Sequence, residues 1–308
     1  MTELRFGVDL GGTKIELIAL EGSAQRWRKR VPTPQADYTA ILETIAALDR
    51  EAAQALGQRG SFGIGTPGSR SPRDGRMRNC NTVVLNGKPL LRDLEAAVGR
   101  EVRMANDANC FALSEAVDGA GAGADVVFGV ILGTGVGGGV VVHGRVLRGA
   151  NEVAGEWGHS PMPRARDDAS PGRRCYCGRT GCIELFLSGP GMAREHAALH
   201  GGSLRAEEIF ADPAHEESTA RYEARLARAL GPVVNLLDPD VIVLGGGISK
   251  VERLYENVPS LLAEHVFSDV VYTRIVSPKH GDSSGVRGAA WLWGDALPAT
   301  TSHAEESQ

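Results

Sequence analysis

The chain opens with Phe6-Gly-Val-Asp-Leu-Gly-Gly-Thr-Lys-Ile-Glu-Leu-Ile-Ala-Leu-Glu-Gly22 and repeats this pattern, without a gap, in Phe128-Gly-Val-Ile-Leu-Gly-Thr-Gly-Val-Gly-Gly-Gly-Val-Val-Val-His-Gly144. In each copy two apolar runs flank a glycine-rich turn, which is the pattern of a β-hairpin. A motif that recurs within one chain indicates a repeated structural unit. The sequence therefore predicts two α/β domains of similar topology, each beginning with such a hairpin.

The composition is that of an ordinary globular protein. The chain has 308 residues, of which 42% are hydrophobic and 23% charged, and its net charge of -5 gives no general attraction to nucleic acid or anionic lipid. The first residues do not form a signal peptide, and no apolar run is long enough to span a bilayer. We expect a cytoplasmic protein that binds small molecules and has no nucleic-acid or membrane partner.

The spacing of apolar residues predicts the main helices and strands. Helices are expected over residues 38–56, with Asp37 as the N-cap, and over 107–117, 222–237 and 251–267. Strands are expected over residues 62–66, 102–105 and 241–244.

Both hairpin turns are rich in glycine and can present successive backbone amides to a phosphate group. The residues predicted to bind ATP there are Gly7, Val8, Asp9, Leu10, Gly11, Gly12, Thr13 and Lys14, and Gly133, Thr134, Gly135, Val136, Gly137, Gly138, Gly139 and Val140. The second stretch is not a dinucleotide fingerprint because it leads into a strand, and the first lacks the Gly-Lys-Ser/Thr order of a P-loop. A tight turn without a ligand is the alternative for either stretch taken alone.

A third glycine cluster, Gly245, Gly246 and Gly247, follows a buried strand, where an open α/β sheet commonly binds a ligand. We expect the adenosine of ATP beside it; a plain strand–helix turn is the alternative. Asp9 has no acidic counterpart in the second hairpin, where Ile131 stands. A lone carboxylate beside a phosphate loop suits Mg²⁺.

One histidine and three closely spaced cysteines form a candidate metal site. They are His159, Cys175, Cys177 and Cys182. One imidazole and three thiolates complete the tetrahedral set that zinc prefers, and a full set leaves no position for water. The predicted zinc is therefore structural. The alternative is that the cysteines are ordinary buried thiols.

Asp107 lies where a predicted strand meets a predicted helix. It could accept the proton of a sugar hydroxyl as the hydroxyl oxygen attacks the γ-phosphate of ATP, and its alternative role is to cap the helix. Glu156 and Glu184 flank the zinc motif, and Asn81 lies in the loop 79–88. These three are candidates for binding a polyhydroxylated substrate, with surface solvation as the alternative for each.

Together these motifs resemble the ROK family (repressors, open reading frames and sugar kinases), and most of all its bacterial fructokinases. The resemblance covers residues 6 to about 293. Its specific motifs are Asp9-Leu-Gly-Gly-Thr-Lys14, Ala105-Asn-Asp-Ala-Asn-Cys110, Gly155-Glu-Trp-Gly-His159 and Cys175-Tyr-Cys-Gly-Arg-Thr-Gly-Cys-Ile-Glu184. It implies an α/β fold of two ribonuclease-H-like domains of the actin/hexokinase type, with an interdomain cleft, and a homodimer. It also implies that Asp107 is the catalytic base and that Asn106, Glu156, His159 and Glu184 contact the sugar.

By this resemblance the first domain comprises residues 1–117 and a returning C-terminal helix at about 286–297. The larger second domain, with the zinc motif, comprises residues 118–285. Residues 298–308 are expected to be a disordered tail, and residues 163–174 a mobile insertion without an assigned role.

The implied activity is transfer of the γ-phosphoryl group of ATP, with Mg²⁺, to D-fructose, giving fructose 6-phosphate. The alternatives are an N-acetylglucosamine or N-acetylmannosamine kinase, or a glucokinase, of the same family. A sugar-sensing transcriptional regulator is a distant alternative, because the first phosphate loop begins at residue 9 and leaves no room for a DNA-binding domain before it.

Overall fold

The computed structural model describes residues 3–163 and 173–294 and contains two five-stranded sheets of the same design. The strands of the first half are β1 (Leu4–Leu10), β2 (Lys14–Glu21), β3 (Ala24–Pro32), β4 (Ser61–Thr66), β5 (Ser69–Arg70), β6 (Met77–Arg78) and β7 (Val102–Asn106). The first sheet has the order β3-β2-β1-β4-β7, in which β1 is antiparallel to β2 and parallel to β4. Strands β5 and β6 form a separate two-stranded sheet.

The second half repeats the first sheet strand for strand. Its strands are β8 (Val126–Leu132), β9 (Val136–Val142), β10 (Arg145–Val146), β11 (Val241–Gly245) and β12 (Arg274–Val276). Their order is β10-β9-β8-β11-β12, and β8 is antiparallel to β9 and parallel to β11. The hairpins β1-β2 and β8-β9 are the two copies of the sequence repeat. The predicted pair of α/β domains with similar topology is therefore confirmed.

Most predicted helices are present where the apolar spacing placed them. The helices are α1 (Tyr38–Leu56), α2 (Leu90–Val98), α3 (Asp107–Val117), α4 (Glu184–Leu187), α5 (Gly189–His200), α6 (Ala206–Ala211), α7 (Glu216–Leu237), α8 (Arg253–Ala263) and α9 (Ser284–Trp291). Helix α1 begins after Asp37, whose carboxylate accepts a hydrogen bond from the amide of Ala40 at 3.0 Å. The predicted cap is therefore confirmed.

The helix predicted over residues 251–267 is shorter in the structure, because α8 ends at Ala263. Beyond it, the side chain of Asn235 donates to the carbonyl of His265 at 3.3 Å and accepts from the amide of Phe267 at 2.8 Å. These hydrogen bonds hold residues 265–267 against α7. They engage the carbonyl of His265 and the amide of Phe267, which a continuing helix would need for its own hydrogen bonds. The prediction of a helix that continues to residue 267 was wrong.

Helices α3 and α9 lie between the two sheets, and glycines allow the close approach. A Cβ atom on Gly7 of β1 would lie 2.3 Å from a carbonyl oxygen of α9, and one on Gly129, the equivalent residue of β8, would lie 2.8 Å from a Cα atom of α3. Where the helices cross, a Cβ atom on Gly288 would lie 1.6 Å from the carbonyl oxygen of Cys110. Helix α9 therefore covers the first sheet and α3 covers the second.

The C-terminal helix α9 packs on the first sheet and ends at Trp291. Helix α3 was grouped with residues 1–117, whereas it packs on the second sheet, where Gly139 and Gly245 lie against its side chains and backbone. The expected tail at 298–308 lies outside the described residues, as does most of the expected insertion at 163–174. Within the described ranges, no helix has the length and apolar character needed to cross a membrane.

Candidate active site

The tips of the two repeated hairpins carry backbone amides that have no partner in the described part of the chain. Among the described residues, none accepts a hydrogen bond from the amides of Gly12, Thr13, Thr134 or Gly135. The first tip is held from its carbonyl side, because the side chain of Thr33 donates to the carbonyl of Gly11 at 2.8 Å. Successive free amides in a rigid turn form a concave site for an anion. Both tips therefore suit phosphate oxygens.

The structure places parts of the two stretches that were predicted to bind ATP inside strands. Gly7 to Leu10 lie inside β1, and Gly137 to Val140 lie inside β9, so their backbones belong to the sheets and not to the turns. Gly138 serves packing, since a Cβ atom there would lie 2.7 Å from the carbonyl oxygen of Gly155. The amide of Val136 is also taken, because it donates to Oε2 of Glu184 at 3.0 Å.

The third glycine cluster lies beside the second tip. Gly246 has a φ of 85°, and a Cβ atom on it would lie 2.4 Å from the carbonyl oxygen of Leu132, the residue that precedes the tip. Gly247 is more open, since the nearest atom to its Cβ position is 3.7 Å away. A nucleotide whose phosphates met the second tip would have its nucleoside near this cluster, and the adenosine site remains a prediction.

The sequence left open whether Asp107 is a general base or the cap of α3, and the structure gives the capping role to the neighbouring Asn106. Asn106 is the N-cap of α3, and its Oδ1 accepts a hydrogen bond from the amide of Asn109 at 3.1 Å. Asp107 is the first helical residue, accepts from the amide of Ala108 at 2.8 Å, and stays accessible from the cleft. Because Asn106 caps the helix, the carboxylate of Asp107 is available for chemistry.

Asp107 lies among other carboxylates. Enclosure by protein raises the pKa of Asp107 to about 6, and the nearby charges of Asp9 and Glu156 act in the same direction. The pKa of Asp9 is also raised, mainly by burial, against the opposing effect of Lys14. The structure thus brings Asp9, Asp107 and Glu156 together, and this concentration of negative charge suits a divalent cation.

The four predicted zinc ligands also come together. The Nδ1 atom of His159 and the Sγ atoms of Cys175, Cys177 and Cys182 all lie within 4.8 Å of one another. The separations are 3.6 Å between His159 Nδ1 and Cys175 Sγ, and 3.6 Å between the Sγ atoms of Cys177 and Cys182. Zinc–sulfur bonds of about 2.3 Å require tetrahedral edges of about 3.8 Å, so the ligand set fits zinc.

The zinc motif contributes one residue that the sequence analysis missed. The hydroxyl of Tyr176 lies 3.0 Å from Nε2 of His159, which leaves Nδ1 of that ring facing the thiols. Such a partner orients a metal-binding imidazole. Nδ1 of His159 faces the thiols and Nε2 faces the hydroxyl of Tyr176, so both ring nitrogens are engaged. A sugar that contacted Nε2, as predicted for His159, would therefore also contact Tyr176. The position of Tyr176 between two of the predicted ligand cysteines could have indicated that its side chain lies beside the metal site.

The two acidic residues that flank the zinc motif are fixed on the second sheet. Glu184 accepts the hydrogen bond from the amide of Val136 described above. Glu156 follows Gly155, which has a φ of 89° and could not carry a Cβ atom beside β9. Burial raises the pKa of Glu156, and the neighbouring Glu184 raises it further. Both carboxylates therefore lie near the predicted metal cluster and near each other in the structure.

Asn81 lies in the loop that approaches the first hairpin tip. A Cβ atom on Gly12 would lie 3.4 Å from Oγ1 of Thr82, the next residue. Its other neighbour, Cys80, has a raised pKa, to about 11, through burial and the charge of Asp107. Asn81 itself is exposed. The loop therefore lies near both the first tip and Asp107, as a substrate-binding role requires.

A cavity of about 380 Å³, including its open mouth, adjoins Asn106. Its lining comes from both halves of the chain: Thr66, Gly68, Ser69, Arg70, Met77, Met104, Ala105, Asn106, Asn109, Arg148 and Glu152. The buried Oδ1 of Asn109 has no hydrogen-bond partner among the described residues. The sequence held no signal for this cavity, because only the fold joins its two walls.

Comparison with known proteins gives the same family along nearly the whole chain. A sequence model of the ROK family matches residues 5–296. The N-acetyl-D-glucosamine kinase of Yersinia enterocolitica is 43% identical over 297 residues, which cover 93% of this chain and 98% of that relative.

Solved structures agree with this result. The crystal structure of a ROK hexokinase from Thermus thermophilus superposes with a TM-score of 0.83 at 32% identity, covering 94% of this chain and 97% of the other. A ROK glucokinase from Streptomyces griseus, in complex with glucose and AMPPNP, superposes with a TM-score of 0.75 at 27% identity, covering 94% and 98%. The chain therefore belongs to the ROK family, among its sugar kinases.

Proposed function

We propose that this chain is an ATP-dependent kinase of N-acetyl-D-glucosamine. The observation that carries the proposal is the 43% identity to the Yersinia enterocolitica N-acetyl-D-glucosamine kinase over nearly the full length of both chains. This relative supports the N-acetylglucosamine alternative better than the D-fructose prediction. Fold and motif are shared by kinases of several sugars, so they do not decide between the two.

The cavity beside Asn106 supports an N-acetylated sugar. Met77 and Met104 offer apolar contacts to a methyl group. The unpaired Oδ1 of Asn109 can accept a hydrogen bond from an amide N–H, and the hydroxyl of Ser69 can donate to an acetyl oxygen. An acetamido group combines a methyl group, an N–H donor and a carbonyl acceptor, whereas a fructose hydroxyl can pair the polar groups but has no methyl group for the two methionines.

In this proposal Asp107 is the general base. Its carboxylate accepts the proton of a sugar hydroxyl while the hydroxyl oxygen forms a bond to the γ-phosphorus and the bond to the bridging oxygen of ADP breaks. A pKa of about 6 keeps most of the carboxylate deprotonated at neutral pH. The free amides of the two hairpin tips hold the phosphates, and Asn81, Glu156 and Glu184 orient the sugar.

Two metal ions belong to the proposal. Mg²⁺ bound with ATP would offset the negative charges of Asp9 and Asp107. Asp9 is the residue proposed to hold this ion. Zinc would be structural, held by His159 and the three cysteines. Its four ligands lie between Glu156 and Glu184 in the chain, so the metal would fix both carboxylates at one wall of the sugar site.

A coupled assay with Mg-ATP tests the substrate across N-acetylglucosamine, N-acetylmannosamine, fructose and glucose. We expect kcat/KM to be highest for N-acetylglucosamine and at least about tenfold lower for fructose, because fructose lacks the acetamido group whose methyl would contact the two methionines of the cavity. A preparation of the Asp107→Asn variant controls for contaminating kinases. A higher kcat/KM for fructose would contradict the proposal.

A further inference from the structure

Contacts outside the residues assigned above join the two halves of the chain. Nη2 of Arg70 lies 3.3 Å from Oε1 of Glu152, and Nη2 of Arg78 donates to the carbonyl of Asn151 at 2.9 Å. Both arginines belong to the β5-β6 hairpin of the first half. Their partners belong to residues 147–155 of the second half, here named the cleft loop. The hairpin and the cleft loop thus meet across the junction of the two domains.

A third contact reaches the same place from the opposite direction. Nη2 of Arg148, at the start of the cleft loop, donates to the carbonyl of Met104 in β7 at 3.4 Å. Within the cleft loop, Glu152 has a φ of 56°, a left-handed conformation that is uncommon for a glutamate. Such a backbone persists where surrounding contacts hold it, and the ion pair to Arg70 is a contact of this kind.

Each of these contacts is close in the chain to a predicted sugar-binding residue. Arg78 precedes Asn81 by three residues, Met104 precedes Asn106 by two, and Glu152 precedes Glu156 by four. Arg70 and Glu152 also line the cavity beside Asn106, one from each half. The separation between the hairpin and the cleft loop therefore sets the separation between the two groups of sugar-binding residues.

We propose that Arg70 and Glu152 are positioning residues whose ion pair latches the two halves of the acceptor site together. The inference rests on the proposed function in that the acceptor is a sugar. The two side chains are 26% and 29% exposed, and ion pairs this close to solvent are weak. Such a pair can open to admit a substrate and form again around it. In the described part of the chain, neither Arg70 nor Glu152 forms a hydrogen bond or ion pair with a hairpin tip, so the effect of the latch falls on the sugar and spares ATP.

Charge reversal tests the latch through steady-state kinetics. In Arg70→Glu and in Glu152→Arg, two like charges face each other, and we expect the KM for the sugar to rise about three- to tenfold. The kcat and the KM for ATP stay within about twofold, because Asp107 and the hairpin tips are untouched. The double variant Arg70→Glu/Glu152→Arg restores the ion pair and returns the sugar KM to within about twofold of the parent.

Arg73→Glu is the matched control, since Arg73 lies on the turn of the same hairpin and forms no ion pair within the described ranges. We expect it to leave the sugar KM unchanged. A double variant that is worse than either single variant would overturn the proposal. Equal losses in kcat and in both KM values would do the same, because they would indicate general structural damage.

Hydrogen–deuterium exchange gives a readout that does not depend on any catalytic activity. In the ligand-free protein, Arg70→Glu should raise amide exchange in the cleft loop, residues 147–155, and Glu152→Arg should raise it in residues 69–78. The double variant should return both to the parent rate, and Arg73→Glu should change neither. If no sugar is phosphorylated but this exchange pattern holds, the proposed function fails while the latch stands. Unchanged exchange in all variants would overturn the latch.

Discussion

The two sheets share one strand order but carry different chemistry. Among residues 3–163 and 173–294, none accepts a hydrogen bond from the tip amides of either hairpin, so a geometry suited to an anion is present twice. Asp9 in the first hairpin stands opposite Glu16, whereas the equivalent Ile131 stands opposite Gly137. The zinc motif occurs between β10 and β11 of the second half and has no counterpart between β3 and β4 of the first. In the proposed function, the duplicated fold holds the phosphates from two sides, while each half adds separate functional groups.

The largest expected effect concerns the helices that follow the last strand of each sheet. Helix α3 begins with Asp107, whereas the equivalent α9 begins with Ser284. We expect Asp107→Asn to lower kcat by about 10²–10⁴-fold, because the general base is lost, while ATP binding measured by calorimetry stays near the parent value. Asp269→Asn, an exposed substitution of the same kind, serves as control. A loss of kcat below tenfold would show that Asp107 is not the base.

The zinc motif distinguishes the second half, and Cys177→Ser removes one ligand. We expect the zinc content to fall from about one per chain and the Tm to drop by about 5–10 °C, with a higher KM for the sugar. Elemental analysis and calorimetry measure both. Cys80→Ser is the control, since that thiol is buried outside the cluster. Well-folded parent protein without zinc would contradict the metal assignment.

Asp9 is the acidic residue that the second hairpin lacks. Asp9→Asn should lower kcat/KM for Mg-ATP by about 10–100-fold, because one charged contact near the metal is lost. The sugar KM should change little. Ile131→Val, at the equivalent position of the other hairpin, should leave both constants unchanged. Equal effects at the two positions would mean that the hairpins do not differ in function.

The glycines of the strands should behave alike in both halves. Gly7→Ala and Gly129→Ala each place a Cβ atom inside the contact distance of a helix, and we expect each to lower the free energy of unfolding by about 1–3 kcal/mol. Gly133→Ala, at the second tip, meets no atom within 4 Å and should leave the Tm unchanged. Chemical denaturation measures all three. A stable Gly129→Ala variant with an unstable Gly7→Ala variant would break the structural equivalence.

The smallest expected effect is the pH dependence that Asp107 introduces. Its pKa in the folded chain is about 6, above the ordinary value of 3.8, so ionisation costs stability as pH rises through that range. The stability of Asp107→Asn relative to the parent should therefore increase between about pH 4 and pH 6 and stay level above pH 7, by at most a few degrees in Tm. In the parent, kcat/KM should fall below about pH 6. A stability difference that is independent of pH would contradict the shift.

Local patterns predicted most of the fold and the chemical type of the site. The repeat, the helix cap at Asp37 and the cluster of His159 with three cysteines follow from residue type and spacing, which a sequence carries directly. The end of α8 could not be predicted in this way, because it depends on hydrogen bonds from the side chain of Asn235 in α7. The predicted ATP-binding stretches include residues that the structure places inside strands, because glycine is equally suited to a turn and to a strand pressed against a helix. The cavity beside Asn106 and the latch at Arg70 depend on contacts between distant segments.

The position of α9 has a consequence for synthesis of the chain. The first sheet is complete once β7 has been made, but the face that carries Ile18 and Leu20 is covered by Val286 and Ala290 of α9. While the ribosome translates the intervening segment, that apolar face has no cover from its own chain. The half of the protein that is made first therefore keeps an apolar face uncovered until its last helix has been made.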